Sequence, residues 1–201
     1  MTQHDLIAGL AARVAATIAA HEAELTALDQ AIGDGDHGTN MRRGFDAVAA
    51  EGAALAAMEF GPALAKAGMT LVMKVGGASG PLYGSALMAM GKSGTGVPTD
   101  TTGAAALVGT GIEAIKARGK AEAGAKTMLD LLIPVQAALA AGAGIAGVRA
   151  AADAALESTR PMRATKGRAA FLGERSVGHL DPGARSSALI IHAVCDVLEG
   201  K

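Results

Sequence analysis

Three aspartates stand close together near the start of the sequence, at Asp29, Asp34 and Asp36, and glycines lie between and just after them. The glycines allow the backbone to bend tightly around a ligand. Carboxylates held this close repel one another unless a proton or a cation compensates them. Mg²⁺ is typically bound by a few carboxylates and completes its octahedron with water and phosphate oxygens. The cluster therefore predicts an open magnesium site that accepts phosphate.

The residues that follow the cluster, His37 to Asn40, are expected to begin a helix. The free amides and the positive dipole end of a helix favour a phosphate anion. The same phosphates would then contact both the metal and the helix. A single Asp-Gly pair is more often a solvated turn that caps the next helix, and that alternative remains open for Asp34 and Asp36.

Other segments indicate a function only in combination with this cluster. Gly76–Gly84 is a second glycine-rich turn, and its Pro81 suits the first turn of a helix. Asp181-Pro-Gly183 is typical of a turn before a helix, and Arg168 of a solvated loop charge. Taken alone, each of these segments would be an ordinary connection.

The elements that must position these residues are predicted to be almost entirely helical. Hydrophobic residues make up 50% of the 201 residues, with alanine prominent among them, while aromatic residues contribute only 2%. Alanine favours helices, whereas strands are richer in β-branched and aromatic residues. Apolar spacing and Gly or Pro punctuation predict about eight helices in a single domain over residues 1–201. The predicted helices span residues 4–28, 39–58, 62–74, 81–92, 101–118, 127–141, 145–158 and 184–198. The long connection over residues 160–183 is expected to be functional.

Composition excludes several classes of function. The net charge of -1 offers no broad basic surface for nucleic acid. Cys195 is the only cysteine, which excludes an internal disulfide and suits a reducing cytoplasm. The apolar stretch over residues 137–148 is too short to span a bilayer, so no membrane segment is expected.

The motifs together resemble the nucleotide-binding L subunit of bacterial dihydroxyacetone kinase. The resemblance is carried first by residues 29–41 and 76–84, and it extends through residues 119–128, 164–168, 173–175 and 181–183. It implies an all-α, eight-helix antiparallel barrel with the nucleotide at one end, which agrees with the number of helices predicted independently. It also implies delivery of a phosphoryl group to dihydroxyacetone held covalently by a separate K subunit.

Position by position, the resemblance assigns Asp29, Asp34 and Asp36 as ligands of two magnesium ions. It assigns no general base in this chain. The implied contacts to ADP or ATP are His37, Gly38, Thr39, Asn40, Ala78, Ser79, Gly119, Met128, Arg168, Asp181, Pro182 and Gly183.

The resemblance leaves the phosphoryl donor and the substrate open. Some members of the family receive the phosphoryl group from a phosphotransferase-system protein onto a tightly held ADP, and others exchange ADP for ATP. A stand-alone subunit favours the first. Three alternatives stay open: a related ketose such as a tetrulose as substrate, a fatty acid kinase, and a nucleotide-loaded binding module that reports metabolic state to a regulator.

Overall fold

The computed structural model of the protein describes residues 1–94 and 96–201. Within these residues the regular structure is helical, without a strand, as the composition predicts. The α-helices are α1 (Gln3–Ala20), α2 (Glu22–Ile32), α3 (His37–Ala50), α4 (Gly52–Ala56), α5 (Phe60–Lys74), α6 (Ser79–Lys92), α7 (Thr101–Gly119), α8 (Leu129–Ala140), α9 (Ile145–Ser158) and α10 (Pro182–Leu198). A 3₁₀ segment, Arg168–Ser176, lies in the long connection between α9 and α10.

Two of the predicted helices are each divided in two. The predicted helix over residues 4–28 bends by 58° between α1 and α2. At the bend, His21 Nδ1 lies 2.8 Å from the carbonyl oxygen of Thr17, which an unbroken helix would pair with the amide of His21. The predicted helix over residues 39–58 breaks between α3 and α4, at Glu51. If each broken pair counts as one rod, the described residues form the eight rods that the sequence predicts.

The rods form a closed antiparallel ring. The helices pack in the order α1, α3, α5, α6, α7, α8, α9 and α10, and α10 returns to α1. Arg13 of α1 lies 2.6 Å from Asp196 of α10 and closes the ring with an ion pair. Because successive helices alternate in direction, α3, α6, α8 and α10 all begin at the same end of the barrel.

Glycines bring α5 and α6 into direct backbone contact. A Cβ on Gly84 would come within 2.6 Å of the carbonyl oxygen of Gly68, and a Cβ on Gly91 within 2.4 Å of that of Gly61. The two backbones therefore touch directly, which a larger side chain at either position would prevent. This contact fixes the position of α6 against α5, and α6 carries part of the site.

The barrel interior is apolar. Leu25, Met41, Leu71 and Leu129 are fully buried in its main cluster. A cavity of about 600 Å³ remains between the helices and is lined almost entirely by apolar side chains. Among the described residues, no single helix is both long and apolar enough to cross a membrane, although the bent pair α1 and α2 would meet that test if taken together.

Candidate magnesium and nucleotide site

The three predicted metal ligands converge in the turn between α2 and α3. Asp29, Asp34 and Asp36 each offer a carboxylate oxygen, and these three oxygens lie within 4.8 Å of one another. Asp29 is buried, whereas Asp34 and Asp36 are exposed at the end of the barrel. Three hard oxygen donors on one open face match the donor set that magnesium prefers.

Asp29 is held in place by the start of α3. Its Oδ2 accepts the amide of Asp36 at 2.9 Å and the amide of His37 at 3.1 Å. The carboxylate thus satisfies two amides at the helix N-terminus, while its Oδ1 faces Gly33. A Cβ on Gly33 would lie 2.0 Å from that oxygen, so any larger residue there would force the Asp29 carboxylate to move.

His37 is buried and connects three helices. Its Nδ1 lies 3.1 Å from Ser79 Oγ on α6, and its Nε2 lies 2.9 Å from Ser186 Oγ on α10. Burial lowers the pKa of the imidazole, against the opposing charges of Asp29 and Asp36. A neutral ring with both nitrogens engaged is a fixed spacer between the starts of these helices.

The other predicted phosphate contacts, Gly38, Thr39 and Asn40, differ in whether the backbone or the side chain is available to a ligand. Gly38 packs against α2, where a Cβ would come within 2.1 Å of the Glu22 carbonyl oxygen, so only its backbone is available to a ligand. Thr39 is exposed, and Asn40 is buried with its Oδ1 accepting a hydrogen bond from Arg43 at 2.8 Å. Arg43 also donates to the carbonyl oxygen of Lys74 at 2.8 Å and so ties α3 to the end of α5.

The glycine-rich turn before α6 lies beside the metal cluster. A Cβ on Gly77, which has a positive φ of 64°, would lie 4.0 Å from Asp36 Oδ1. Ala78 follows and is exposed at the N-terminus of α6, and Ser79 is half-buried on His37. The turn therefore brings a second helix start, with its free amides, to the carboxylates.

The remaining predicted contacts form the far side of the same mouth. A Cβ on Gly183 would lie 3.7 Å from Met128 Cβ, and a Cβ on Gly119 would lie 3.2 Å from Leu82, one turn into α6. Pro182 is buried as the first residue of α10. The structure thus gathers residues that are far apart in the sequence around the start of α6.

Asp181 caps α10 from a buried position. Its Oδ2 accepts the amide of Ala184 at 2.7 Å. Burial raises the pKa of this carboxyl group to about 7, and the charge of Asp130 adds to that rise. Asp181 therefore differs from the exposed acids of the metal cluster, because its charged form is disfavoured by the site.

Arg168 reaches the metal cluster from the long connection. Its Nη2 lies 2.9 Å from Asp34 Oδ2, so the side chain is placed at the metal cluster, as a contact to bound phosphate would require. Ile32, Ala164 and Ala169 form a small apolar cluster that holds the 3₁₀ segment against α2. The long connection therefore covers one side of the site.

Sequence reasoning missed a buried hydroxyl network behind the site. Tyr83 Oη lies 2.8 Å from both Ser186 Oγ and Ser187 Oγ and donates to the carbonyl oxygen of Gly183 at 3.2 Å. Burial raises the pKa of Tyr83 far above its usual range. The position of Tyr83 inside the glycine-rich motif was one signal that could have indicated this network, whereas serines in an apolar helix are not such a signal.

Comparison with known proteins identifies the family. Residues 31–196 match the sequence family described as the DAK2 domain. The chain belongs to this family. A Listeria innocua serovar 6a protein, "PEP-dependent dihydroxyacetone kinase 1, ADP-binding subunit DhaL", is 48% identical to the DAK2 chain over 170 residues, 85% of this chain and 84% of that protein. A Lactococcus lactis protein, "PTS-dependent dihydroxyacetone kinase, ADP-binding subunit DhaL", is 43% identical over 89% of each chain. The predicted resemblance to the L subunit is confirmed.

A solved structure has the same fold as this DAK2 domain. The dihydroxyacetone kinase from C. freundii in complex with AMP-PNP and Mg²⁺ superposes with a TM-score of 0.76 at 28% identity over 96% of this chain. The matched region is 34% of that kinase, so the DAK2 chain spans about a third of its length. The prediction of an all-helical fold is confirmed.

Proposed function

We propose that this DAK2 domain is the ADP-binding subunit of a dihydroxyacetone kinase. It passes a phosphoryl group from a magnesium nucleotide to dihydroxyacetone held on a separate K subunit. The observation that carries the proposal is the convergence of Asp29, Asp34 and Asp36 beside the starts of α3 and α6. Carboxylates alone would repel phosphate, whereas carboxylates that hold a cation next to free helix amides attract it.

Asp29, Asp34 and Asp36 would hold two magnesium ions, which when bound neutralise phosphate oxygens. The remaining residues of the site bind and orient the nucleotide. The starts of α3 and α6 present amides, and the turns at Gly119, Met128 and Asp181–Gly183 enclose the rest of the nucleotide. Positioning and charge stabilisation are the main sources of rate in phosphoryl transfer.

No general base is assigned to the DAK2 domain, and the geometry of its histidine supports this. His37 is the histidine of the site, and both of its ring nitrogens contact serine hydroxyl groups. Its lowered pKa also makes it a weak proton acceptor. The proton of the substrate hydroxyl group would leave through the substrate-holding K subunit.

The phosphoryl donor is proposed to be a phosphotransferase-system protein that rephosphorylates bound ADP. The relatives named as PEP- or PTS-dependent support this choice, because they match most of this chain at 43% to 48% identity. Exchange of ADP for ATP is the alternative, and the substrate could then also be a related ketose.

Native mass spectrometry of the protein as purified tests the proposal first. Retained ADP with two magnesium ions is the expected result, and an empty chain that binds added ATP would favour the exchanging kinase.

Mixing with a K subunit and dihydroxyacetone is the second test, with either ATP or PEP plus the phosphotransferase-system proteins. Sugar phosphate that forms only with PEP supports the proposed donor. Nucleotide binding without any turnover would instead support a regulatory binding module.

A further inference from the structure

Lys126 is a fully buried lysine in the loop between α7 and α8, and its side chain is only 1% exposed. Its backbone adopts a left-handed conformation with φ of 59°, which is unfavourable for any residue with a Cβ. This conformation turns the side chain into the protein. A strained backbone and a buried cation both carry a cost, so the contacts of Lys126 must compensate for it.

The ammonium group of Lys126 lies among backbone carbonyl oxygens. Three accept at short distance: those of His179 at 2.6 Å, Ser176 at 2.7 Å and Met162 at 3.0 Å. The carbonyl oxygen of Arg160 lies further away, at 3.4 Å. An ammonium group has three N–H donors, so the three short contacts use all of them.

These carbonyl groups belong to both sides of one loop, residues 160–181, which we name the covering loop. Arg160 and Met162 lie where the chain leaves α9, whereas Ser176 and His179 lie where it returns to α10. The neck of the covering loop is also bridged by the amide of Gly178, which donates to the Arg160 carbonyl oxygen at 2.8 Å. Lys126 therefore fastens the two sides of the neck to each other and to the α7–α8 loop.

The covering loop carries residues of the proposed nucleotide site at its tip and its end. Arg168 reaches Asp34 of the metal cluster at the tip, and Asp181 caps α10 at the end. The α7–α8 loop, which holds Lys126, ends at Met128 beside Gly183. One ammonium group thus connects two loops that border the mouth, one of which also reaches the metal cluster through Arg168.

The surroundings of Lys126 exclude direct contact with a nucleotide. The ammonium group is enclosed by main-chain oxygens, and the side chain is nearly inaccessible, so it cannot reach a phosphate without leaving all of these contacts. Asp130 stabilises the same loop by accepting the amides of Gly124 and Thr127. The α7–α8 loop is thus built to hold the lysine inward.

We propose that Lys126 is a positioning residue for nucleotide binding, which holds the covering loop and the α7–α8 loop closed over the part of the nucleotide distant from the metal. The inference rests on the proposed ADP site and adds to it a residue that never touches the ligand. Asp29 and the starts of α3 and α6 hold the phosphate end without Lys126, and Arg168 alone in the covering loop is paired with the metal cluster. Loss of Lys126 is therefore expected to weaken binding of the base and ribose more than binding of the phosphates.

The experiment compares Lys126→Met with the wild-type protein in three measurements. Calorimetric titration in excess Mg²⁺ gives the affinity for ADP and for inorganic pyrophosphate, which lacks the base and the ribose. Limited trypsin digestion reports opening of the covering loop, which contains Arg163, Lys166 and Arg175. Lys120→Met is the matched control, because Lys120 lies in the same loop with a positive φ of 48° but is exposed.

The expected result is that Lys126→Met lowers the affinity for ADP more than the affinity for pyrophosphate. Lys126→Met should lose ADP affinity by about tenfold or more, as when a group that orients ligating residues is removed. It should lose less pyrophosphate affinity than that, because Arg168 is the covering-loop residue paired with the metal cluster. Trypsin should cleave its covering loop faster than that of the wild-type protein. Lys120→Met should match the wild-type protein in all three measurements.

Two results would overturn the inference. One is unchanged ADP affinity with an equally protected covering loop, and the other is an equal loss of ADP and pyrophosphate affinity, which would indicate a general structural role. If Lys126→Met does not fold, Lys126→Gln, which keeps two donors, decides by the same criteria. A wild-type protein that binds no ADP would instead refute the proposed function, and the trypsin comparison would still show whether Lys126 holds the loop.

Discussion

Asp29 Oδ2 lies 3.1 Å from the amide nitrogen of His37, so the acid near the end of α2 is hydrogen-bonded to the first residue of α3. The contact holds the turn between α2 and α3 closed, so that Asp34 and Asp36 lie next to Asp29. One carboxylate thus has two roles: Oδ2 orders the turn, and Oδ1 remains for a cation. Substitutions in this turn should separate folding from metal binding.

Asp36→Asn should abolish retention of nucleotide while the helical fold is kept. The change removes one proposed metal ligand and also relieves repulsion among the three acids, so the free energy of unfolding should not fall. Native mass spectrometry would show loss of ADP, and circular dichroism would show unchanged helix content. Asp46→Asn is the control, since Asp46 is exposed on α3, the helix that Asp36 precedes, and lies 3.5 Å from Arg42. Normal nucleotide content and magnesium dependence in Asp36→Asn would refute the metal assignment.

Gly33→Ala should weaken magnesium binding without removing any ligand. The added Cβ would lie 2.0 Å from Asp29 Oδ1 and 3.0 Å from the Asp29 carbonyl oxygen, so the carboxylate must rotate away from the amides of α3. We expect magnesium affinity, titrated in the presence of ADP, to fall by about tenfold or more, as when an orienting contact is lost. Gly96→Ala, where a Cβ meets no atom within 4 Å, should bind magnesium normally. Equal affinity in both variants would mean that Asp29 is not held as described.

Tyr83→Phe should lower the free energy of unfolding by about 1–2 kcal/mol, because it removes the partner of the buried Ser187 hydroxyl and one of the partners of Ser186. Urea unfolding measures this effect, and an unchanged midpoint would show that water replaces the phenol. Tyr83 is also the only tyrosine, and the chain contains no tryptophan. Its ionisation can therefore be followed by ultraviolet absorbance without interference.

The pH dependence expected from Tyr83 has a definite sign. Burial raises the pKa of the folded phenol above the value near 10 of an unfolded chain. The neutral phenol therefore contributes stability that is present below about pH 10 and is lost as pH rises further. The absorbance of tyrosinate should appear only together with unfolding. Ionisation at an ordinary pH in the folded protein would contradict the burial of the ring.

The sequence predicted the fold well because its helices are separated by clear local signals. The predicted boundaries of residues 145–158 agree with α9, and those of residues 101–118 differ from α7 by one residue. The break at His21 was not predictable in the same way, because it depends on a side chain that bonds the carbonyl group of Thr17 in three dimensions. Apolar spacing continues through the bend and gives no sign of it.

The metal cluster could be predicted from local spacing, whereas distant members of the candidate site, such as Arg168 and Asp181, were predicted only through the family resemblance. The close spacing of Asp29, Asp34 and Asp36 in the sequence indicated a metal cluster, and the structure brings their carboxylates together. Lys126 contacts carbonyl groups 34 to 53 residues away, and backbone oxygens carry no sequence signature. The signal that could have suggested it is a lysine between Ala125 and Thr127, directly before the apolar start of α8.

Asp181→Asn should make stability less dependent on pH. Because burial raises the pKa of Asp181 to about 7, the folded state prefers the protonated acid, and its contribution to stability is lost as pH rises from about 4 towards 7. Asparagine keeps an oxygen that can accept the amide of Ala184 and carries no charge. In EDTA and without nucleotide, the unfolding free energy of the variant relative to that of the wild-type protein should rise by about 2–3 kcal/mol from pH 5 to pH 8. Asp100→Asn is the matched control, because Asp100 caps α7 by accepting the amide of Gly103 at 2.7 Å but is exposed. A gain of the same size in both variants would show that the effect belongs to capping and not to the buried charge of Asp181.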